Sequence, residues 1–329
     1  MSATHAELCC LSAFSFQRGA STPEELVARA AALDYEAIAL TDEASLAGAV
    51  RALQTAEKTG IKLILGARFT CSDGVTLVVL VRNRRGYTRL CQLITTARRR
   101  ADKGGYRIER ADFEAMDLDD CWLIVLPEHD TPPGPALHAT LAWLATRYPG
   151  TARIALALHR RVRDTAHRDT LATLRAQYGL PLIATGDVHM HSRARRALQD
   201  VFTALRHGTT VAAAGTRLAG NGERYLRPVA TLHRLYPAAA LAAARRVAAD
   251  CDFSLREIHY DYPAELVPAG ETALSHLRRL VERGSARRWP QGPSPRLRRQ
   301  IEHEQPITSA FVVCNGRERR AALSSGGCW

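Results

Sequence analysis

From residue 21 to residue 189 short apolar runs alternate with segments of helical period, and that alternation predicts strands set between helices. Thr22 opens a Thr-x-x-Glu capping box closed by Glu25, with Pro23 at the first helical position; the helix ELVARAAAL then leads into the strand EAIALTD. Ser45 is placed to cap a second helix, SLAGAVRALQTAEKTG, which Gly60 ends before the β-rich KLILGARFTC. Ser72, Asp73 and Gly74 separate that run from VTLVVLVRN, which predicts a hairpin. The helix YTRLCQLITTARRRA, the strand CWLIVLPE, the helix ALHATLAWLATRY, the strand ARIALALH, the helix TAHRDTLATLRAQYG and the strand PLIATGDVH continue the series. Repeated strand–helix units imply parallel strands, in either a doubly wound sheet or a βα barrel.

After residue 192 the pattern turns helical. SRARRALQDVFTALRHG is closed by Gly208, and an alanine-rich helix occupies residues 238 to 250. Residues 285 to 296, SARRWPQGPSPR, have the Pro, Gly and Ser density of a linker. The closing stretch QPITSAFVVCNGRERRAALSSGGCW lacks an amphipathic period and reads as poorly ordered.

Polar residues gather where the strands end: Asp42, Arg68, His159, Asp187 and His189. In a barrel those ends share one mouth, where such folds place their chemistry; ordinary strand-end polarity is the competing explanation. TGDVHMH, residues 185 to 191, is the sharpest local signal, because alternation along an extended chain puts Asp187 and His189 on the same side. Asp42 and Glu43 in LTDE form the second. A multinuclear metal centre needs many His and carboxylate ligands plus an open position for water. Asp42, Glu43, His159, Asp187 and His189 are thin for that and sufficient for one weakly held ion. No nucleophile elbow, phosphate loop or dinucleotide-binding turn occurs.

Charge and cysteine content narrow the picture. The chain of 329 residues is 46% hydrophobic, enough for one large core or a core and the beginning of a second domain. Its net charge of +12 favours a polyanionic partner or a solvated arginine-rich surface, with basic runs at Arg98, Arg99 and Arg100, at Arg193, Arg195 and Arg196, and at Arg296, Arg298 and Arg299. The 6% aromatic content gives little support to base stacking on single strands. Eight cysteines include no Cys-x-x-Cys pair, so no zinc knuckle or redox motif is legible, and adjacent Cys9 and Cys10 stand alone as soft-metal candidates. No run is long and apolar enough to span a membrane and no signal peptide is legible, which predicts a cytoplasmic protein.

Taken in order, AELCCLSAFSFQRGAS, ALTDEASLAG, LVRNRRGYTRLCQLIT, PLIATGDVHMHSRARRALQD, DYPAELVPAGETALSHLRRL and RRQIEHE form a series that closely resembles the N-terminal part of the bacterial error-prone DNA polymerases. These are a branch of the C-family related to the DNA polymerase III alpha subunit. The resemblance covers residues 5 to 304 and implies an α/β fold. A PHP (polymerase and histidinol phosphatase) domain over residues 5–268 would form a distorted seven-stranded βα barrel, with its core at about residues 5–200, followed by a mostly helical segment. Residues 269–304 resemble the start of the polymerase palm, and residues 305–329 are expected to be an unrelated, disordered tail, as after a frameshift or early stop or at a genuine divergent terminus. The activity implied is DNA-directed DNA synthesis in translesion synthesis and DNA repair. DNA and polymerase accessory proteins are the implied partners, and Mg2+ bound by palm aspartates is the cofactor of the full-length polymerase.

The same resemblance bears on the metal. Metal-binding PHP domains carry a His-x-His that falls here on Cys9 and Leu11; the Thr-Asp-His motif reads Thr41, Asp42 and Glu43; and the following glutamate falls on Arg68. Asp187 and His189 match the last motif. The implied residual metal ligands are therefore Asp42, Asp187 and His189, with no catalytic residue in this chain and no cofactor expected for it. Two alternatives stand beside a structural module: a metal-dependent phosphoesterase or exonuclease at the barrel mouth, and a non-catalytic module binding DNA or an accessory protein.

Overall fold

Thr22 and Glu25 form the capping box that the sequence predicts. The Thr22 hydroxyl accepts from the Glu25 amide at 3.3 Å and the Glu25 carboxylate accepts from the Thr22 amide at 2.9 Å, which sets the start of α1 (Pro23–Ala32). A computed structural model describes residues 4–129, 131–258 and 267–313, with side chains to residue 304. The alternation read from the sequence is present as β1 (Ala6–Cys10), β2 (Ala37–Leu40), α2 (Ala49–Thr59), β3 (Lys62–Thr70), β4 (Thr76–Val81), α3 (Arg84–Arg99), α4 (Arg110–Glu114), β5 (Cys121–Val125), α5 (Pro135–Arg147), β6 (Ala152–Ala157), α6 (Asp164–Tyr178) and β7 (Leu182–Thr185). Helices α7 (Arg196–Arg206), α8 (Val229–Leu235) and α9 (Ala238–Ala249) follow. Together these elements make a compact unit ending at Ile258.

The strands lie side by side in chain order, β1 to β7. All neighbouring pairs are parallel except those of β4, which runs against both β3 and β5. A uniformly parallel sheet is thus not formed. The predicted hairpin explains why: a tight turn after Thr70, with Gly74 at φ +87°, joins β3 to β4, and so short a connection admits only an antiparallel partner. Side chains alternate across the strands as a barrel requires. Leu77, Val79 and Val81 of β4 face the surrounding helices, whereas Val78 and Leu80 face the interior with Ala37, Ala39, Ala155 and Ile183. Ala244, Val247 and Ala248 of α9 join this inner cluster, and just past α9 Asp250 accepts from the Trp122 indole near the start of β5 at 2.9 Å.

One start differs from the sequence expectation. α2 begins after Gly48 rather than at Ser45, whose hydroxyl instead accepts from the Ala47 amide at 3.1 Å. A Cβ on Gly48 would lie 2.9 Å from Cγ of Pro23, so glycine at the start of α2 allows the close approach of α1 to this turn. Gly60 ends α2 in the left-handed conformation, φ +75°, as expected.

Closure of the barrel depends on the segment just after β7. The Val188 amide donates to the Cys9 carbonyl and the Leu11 amide to the Val188 carbonyl, each at 2.8 Å. Beneath that seam Glu7, 1% exposed, accepts from the Leu8 amide at 3.0 Å, the Cys9 amide at 3.2 Å, the Gly186 amide at 2.8 Å and the Thr185 hydroxyl. A Cβ on Gly186 would sit 2.9 Å from the same carboxylate, so glycine is what lets the two chains meet.

A second unit begins at His259. Its described helices are α10 (Ala273–Arg288), capped by a Thr272–Ser275 box, and α11 (Pro295–Val313). The linker expected over residues 285 to 296 is therefore shortened, because α10 continues to Arg288 and α11 begins at Pro295. The expected tail at 305–329 is helical through Val313, and residues 314–329 lie outside the described residues.

Removing Glu7 takes this acceptor from four buried donors, the Leu8 and Cys9 amides on β1 itself and the Thr185 hydroxyl and Gly186 amide across the β1–β7 seam. Glu7→Ala is expected to cost about 3 kcal/mol or more, read as a lower midpoint in urea unfolding, with Glu7→Gln milder because one acceptor oxygen survives.

Candidate functional site

The strand ends at the mouth bring together Arg68, Asp187 and His189, as the sequence predicts, and add Arg224. Asp187 sits just beyond β7 with φ +43°, in the left-handed region that aspartate tolerates better than most residues. That turn aims its carboxylate into the mouth while Val188 returns to pair with β1. Arg68, projecting from β3, binds one Asp187 oxygen through its guanidinium. Arg224 reaches the other at 3.2 Å. His189 lies 3.5 Å from the same carboxylate, and its ring nitrogens are held by the Gln199 amide at 2.9 Å and the Arg224 guanidinium at 3.2 Å.

Burial works to raise the Asp187 pKa, but Arg68, Arg224 and His189 outweigh it and hold the carboxyl well below its ordinary value. For His189 burial and then the Arg224 charge push the pKa down to about 4. His159 follows the same logic: burial and then Arg224 lower it to about 3. Its Nε2 donates to the Gly186 carbonyl at 3.0 Å, and its Nδ1 is buried without a partner.

Asp42 serves a different purpose. It accepts from the Ser12 amide and hydroxyl, each at 2.7 Å, and from the Ser15 hydroxyl at 2.6 Å. Burial raises its pKa against those hydrogen bonds. The carboxylate thereby organises the loop after β1. Glu43, the residue beside it, takes an ion pair from Arg18 at 2.8 Å, and its backbone carbonyl accepts from Arg98.

These residues do not fit the metal centre of a PHP phosphoesterase. A divalent cation needs free oxygen and nitrogen lone pairs in a site of net negative charge. Both oxygens of Asp187 and both of Asp42 are already engaged, both nitrogens of His189 have partners, and two guanidinium charges stand where a cation would have to bind. Among the described residues no group of three or more His, Cys, Asp or Glu side chains is placed to hold a metal ion, so Asp42 is not gathered with Asp187 and His189 into one site. Cys9 and Cys10 offer no substitute. Burial pushes the Cys9 thiol up to about 12 and Cys10 well above its ordinary value, so neither supplies thiolate at neutral pH. Leu11 is wholly buried.

Sequence reasoning missed Arg224, Gln199, Ser12 and Ser15. Arg224 arrives because its strand-like segment lies against the end of the barrel, where the His189 and Met190 amides donate to its carbonyl at 2.9 and 3.2 Å. No local motif announces that approach. The serines were legible only as small polar residues in SAFSF, and Gln199 sits in a helix of ordinary composition.

Residues 7–163 match the PHP domain family. Along nearly its whole length it is similar to error-prone DNA polymerases: 49% identical over 310 residues to that of Methylococcus capsulatus, covering 94% of this chain and 29% of the polymerase. The polymerase of Dechloromonas aromatica is 50% identical over 347 aligned positions, covering 99% of this chain and 33% of the relative. That alignment runs past residue 304, where the resemblance was expected to stop. The chain spans about a third of the length of these curated relatives. Among solved structures, a protein from Bifidobacterium adolescentis assigned as a metal-dependent phosphoesterase is similar with a TM-score of 0.44 and 17% identity, over 57% of this chain and 88% of that one.

Two outcomes test the site's electrostatics. Arg68→Ala strands a buried carboxylate and is expected to destabilise the fold by about 3–5 kcal/mol, measured by chemical denaturation, whereas pairing it with Asp187→Asn recovers part of that loss. Folded His159 and His189 titrate near 3 and 4, below the ~6.5 of an unfolded imidazole. As pH falls from about 6.5 to about 4, the unfolded chain takes up two protons that the barrel refuses, so unfolding free energy should drop by up to about 2.7 kcal/mol per pH unit. A flat profile over that window would contradict the assignment. Asp187 acts lower still: its stabilisation is present above the ordinary carboxylate pKa of about 4 and is lost below it.

Proposed function

We propose that this chain is the PHP part of an error-prone DNA polymerase and serves that enzyme as a structural module rather than as a phosphoesterase. The observation that carries this reading is the Asp187 carboxylate bound by both Arg68 and Arg224, which removes the best-matching metal ligand from service. Similarity to the polymerases over 94% and 99% of the chain supports the family side of the reading. The whole enzyme's activity would be DNA-directed DNA synthesis in translesion synthesis and DNA repair, with DNA and deoxynucleoside triphosphates as substrates and Mg2+ as cofactor. It would act in the cytoplasm with polymerase accessory proteins. No helix among the described residues is long and apolar enough to cross a membrane. Residues 269–304 are read as the start of the palm, so the nucleotidyl-transfer aspartates fall outside this segment.

On this account the chain alone neither extends a primer nor cleaves phosphoesters. The purified 329-residue protein, given primed template, deoxynucleoside triphosphates and Mg2+, is expected to yield no extension. Given Mn2+ or Zn2+ and a panel of phosphomonoesters and phosphodiesters, it should show no turnover. Mg2+-dependent extension would defeat the first expectation, and metal-dependent hydrolysis abolished by Asp187→Asn would defeat the second.

A further inference from the structure

The basic runs prominent in the sequence are largely spent on structure. Arg195 pairs with Glu25, Arg196 with Asp200 at 2.7 Å and Arg193 with Glu223 at 3.7 Å. Arg98 donates to the carbonyls of Glu43 and Ala44, and Arg100 pairs with Asp112 at 2.6 Å. A different set of arginines, scattered through the chain, converges above the Asp187 network. Arg18, Arg161, Arg206, Arg217 and Arg224, with His189 at the floor, line a cavity of about 730 Å3 at the barrel mouth.

No aspartate or glutamate is among the described residues lining that cavity. Acids beside it are committed to arginines: Asp187 to Arg68 and Arg224 together, Glu43 to Arg18, Asp200 to Arg196, and Glu223 to Arg160 and Arg193. Like charges therefore face one another across the opening. Burial and then the charges of Arg68, Arg161 and Arg18 lower the proton affinity of Arg224, against the pull of Asp187, and burial and then Arg18 do the same at Arg206. Arg224 also keeps a buried Nε without an acceptor. Gln199 and Thr203 of α7 add neutral donors to the same wall. A concave site lined by one sign of charge focuses its field and concentrates counter-ions. Guanidinium groups match phosphate oxygens with paired hydrogen bonds and stay charged through the accessible pH range.

We propose that the barrel mouth is a metal-independent binding site for adjacent phosphate groups, taking the oligophosphate of a nucleotide or the phosphates of a DNA strand. The volume exceeds what a single inorganic phosphate needs and falls in the range of pockets that enclose a small ligand. The site stands apart from nucleotidyl transfer and from hydrolysis, because it requires only recognition. It does not depend on the assignment to a polymerase, since every group invoked belongs to this barrel.

Calorimetric titration of the purified full chain with inorganic pyrophosphate, in the presence of EDTA, tests the proposal. One saturable site per chain is expected. Arg206→Gln and Arg217→Gln, both at exposed positions where folding is not at stake, should each weaken it by about tenfold or more, as loss of a charge-assisted hydrogen bond does. Arg175→Gln, on the exposed face at the C-terminal end of α6 and so at the opposite end of the barrel, should leave affinity unchanged. A 5′-phosphorylated single-stranded oligonucleotide identifies the source: competition with pyrophosphate, lost in the same two variants, assigns the site to DNA phosphates, and binding of pyrophosphate and deoxynucleoside triphosphate alone assigns it to free nucleotide. Absence of saturable binding, or equal weakening by Arg175→Gln, would overturn the proposal.

Discussion

A carboxylate buried at the end of β7 has to be neutralised, and how this chain neutralises Asp187 governs the rest of the mouth. An isolated carboxylate in such a place is too costly to remain ionised. Metal coordination would meet the need with a charge taken from solution, whereas Arg68 and Arg224 meet it with charges built into the chain. The two solutions exclude each other, because guanidinium groups occupy the lone pairs and supply the positive charge that a metal would bring. Cys9 and Leu11 contribute packing to β1 and the start of its loop, and Asp42 is an acceptor for Ser12 and Ser15.

The same ion pair helps to close the barrel. Asp187 lies between Gly186, whose amide is held by Glu7, and Val188, whose amide and carbonyl bond to Cys9 and Leu11. Charge neutralisation at the mouth and strand pairing at the β1–β7 seam are thus carried by consecutive residues. A barrel with β4 reversed has fewer crossover helices to brace it, which places more weight on that seam and on the packing of α9 into the inner cluster.

Much of the fold was legible because local signals and tertiary demands agree. Thr22, Pro23 and Glu25 cap α1 for reasons confined to four residues, and Ser72 to Gly74 make the turn that reverses β4. Elsewhere the sequence misled. Ser45 yields the start of α2 to Gly48, and its hydroxyl is turned to the Ala47 amide within the preceding turn. The helices α10 and α11 reach into the supposed linker at 285–296, where Pro295 starts a helix as readily as it marks a loop. At the site, strand-end position pointed to His159, Asp187 and His189, which follow β6 and β7, whereas Arg68 reaches Asp187 from inside β3. Strand-end position could not locate Arg224, brought in by a chain segment with no motif of its own. Nor could it separate arginines held in structural pairs, such as Arg196, from those that open onto the cavity, such as Arg206.

The central claim is that arginines bound to the chain complete this mouth in place of a metal. The most direct test compares thermal melting of the purified protein in EDTA with melting in excess Mn2+ or Zn2+, alongside elemental analysis of the protein as isolated. Anything that binds only the folded state raises its melting temperature. The account predicts coincident melting curves and no stoichiometric metal. A metal bound at one or more equivalents, with melting several degrees lower in EDTA, would contradict it.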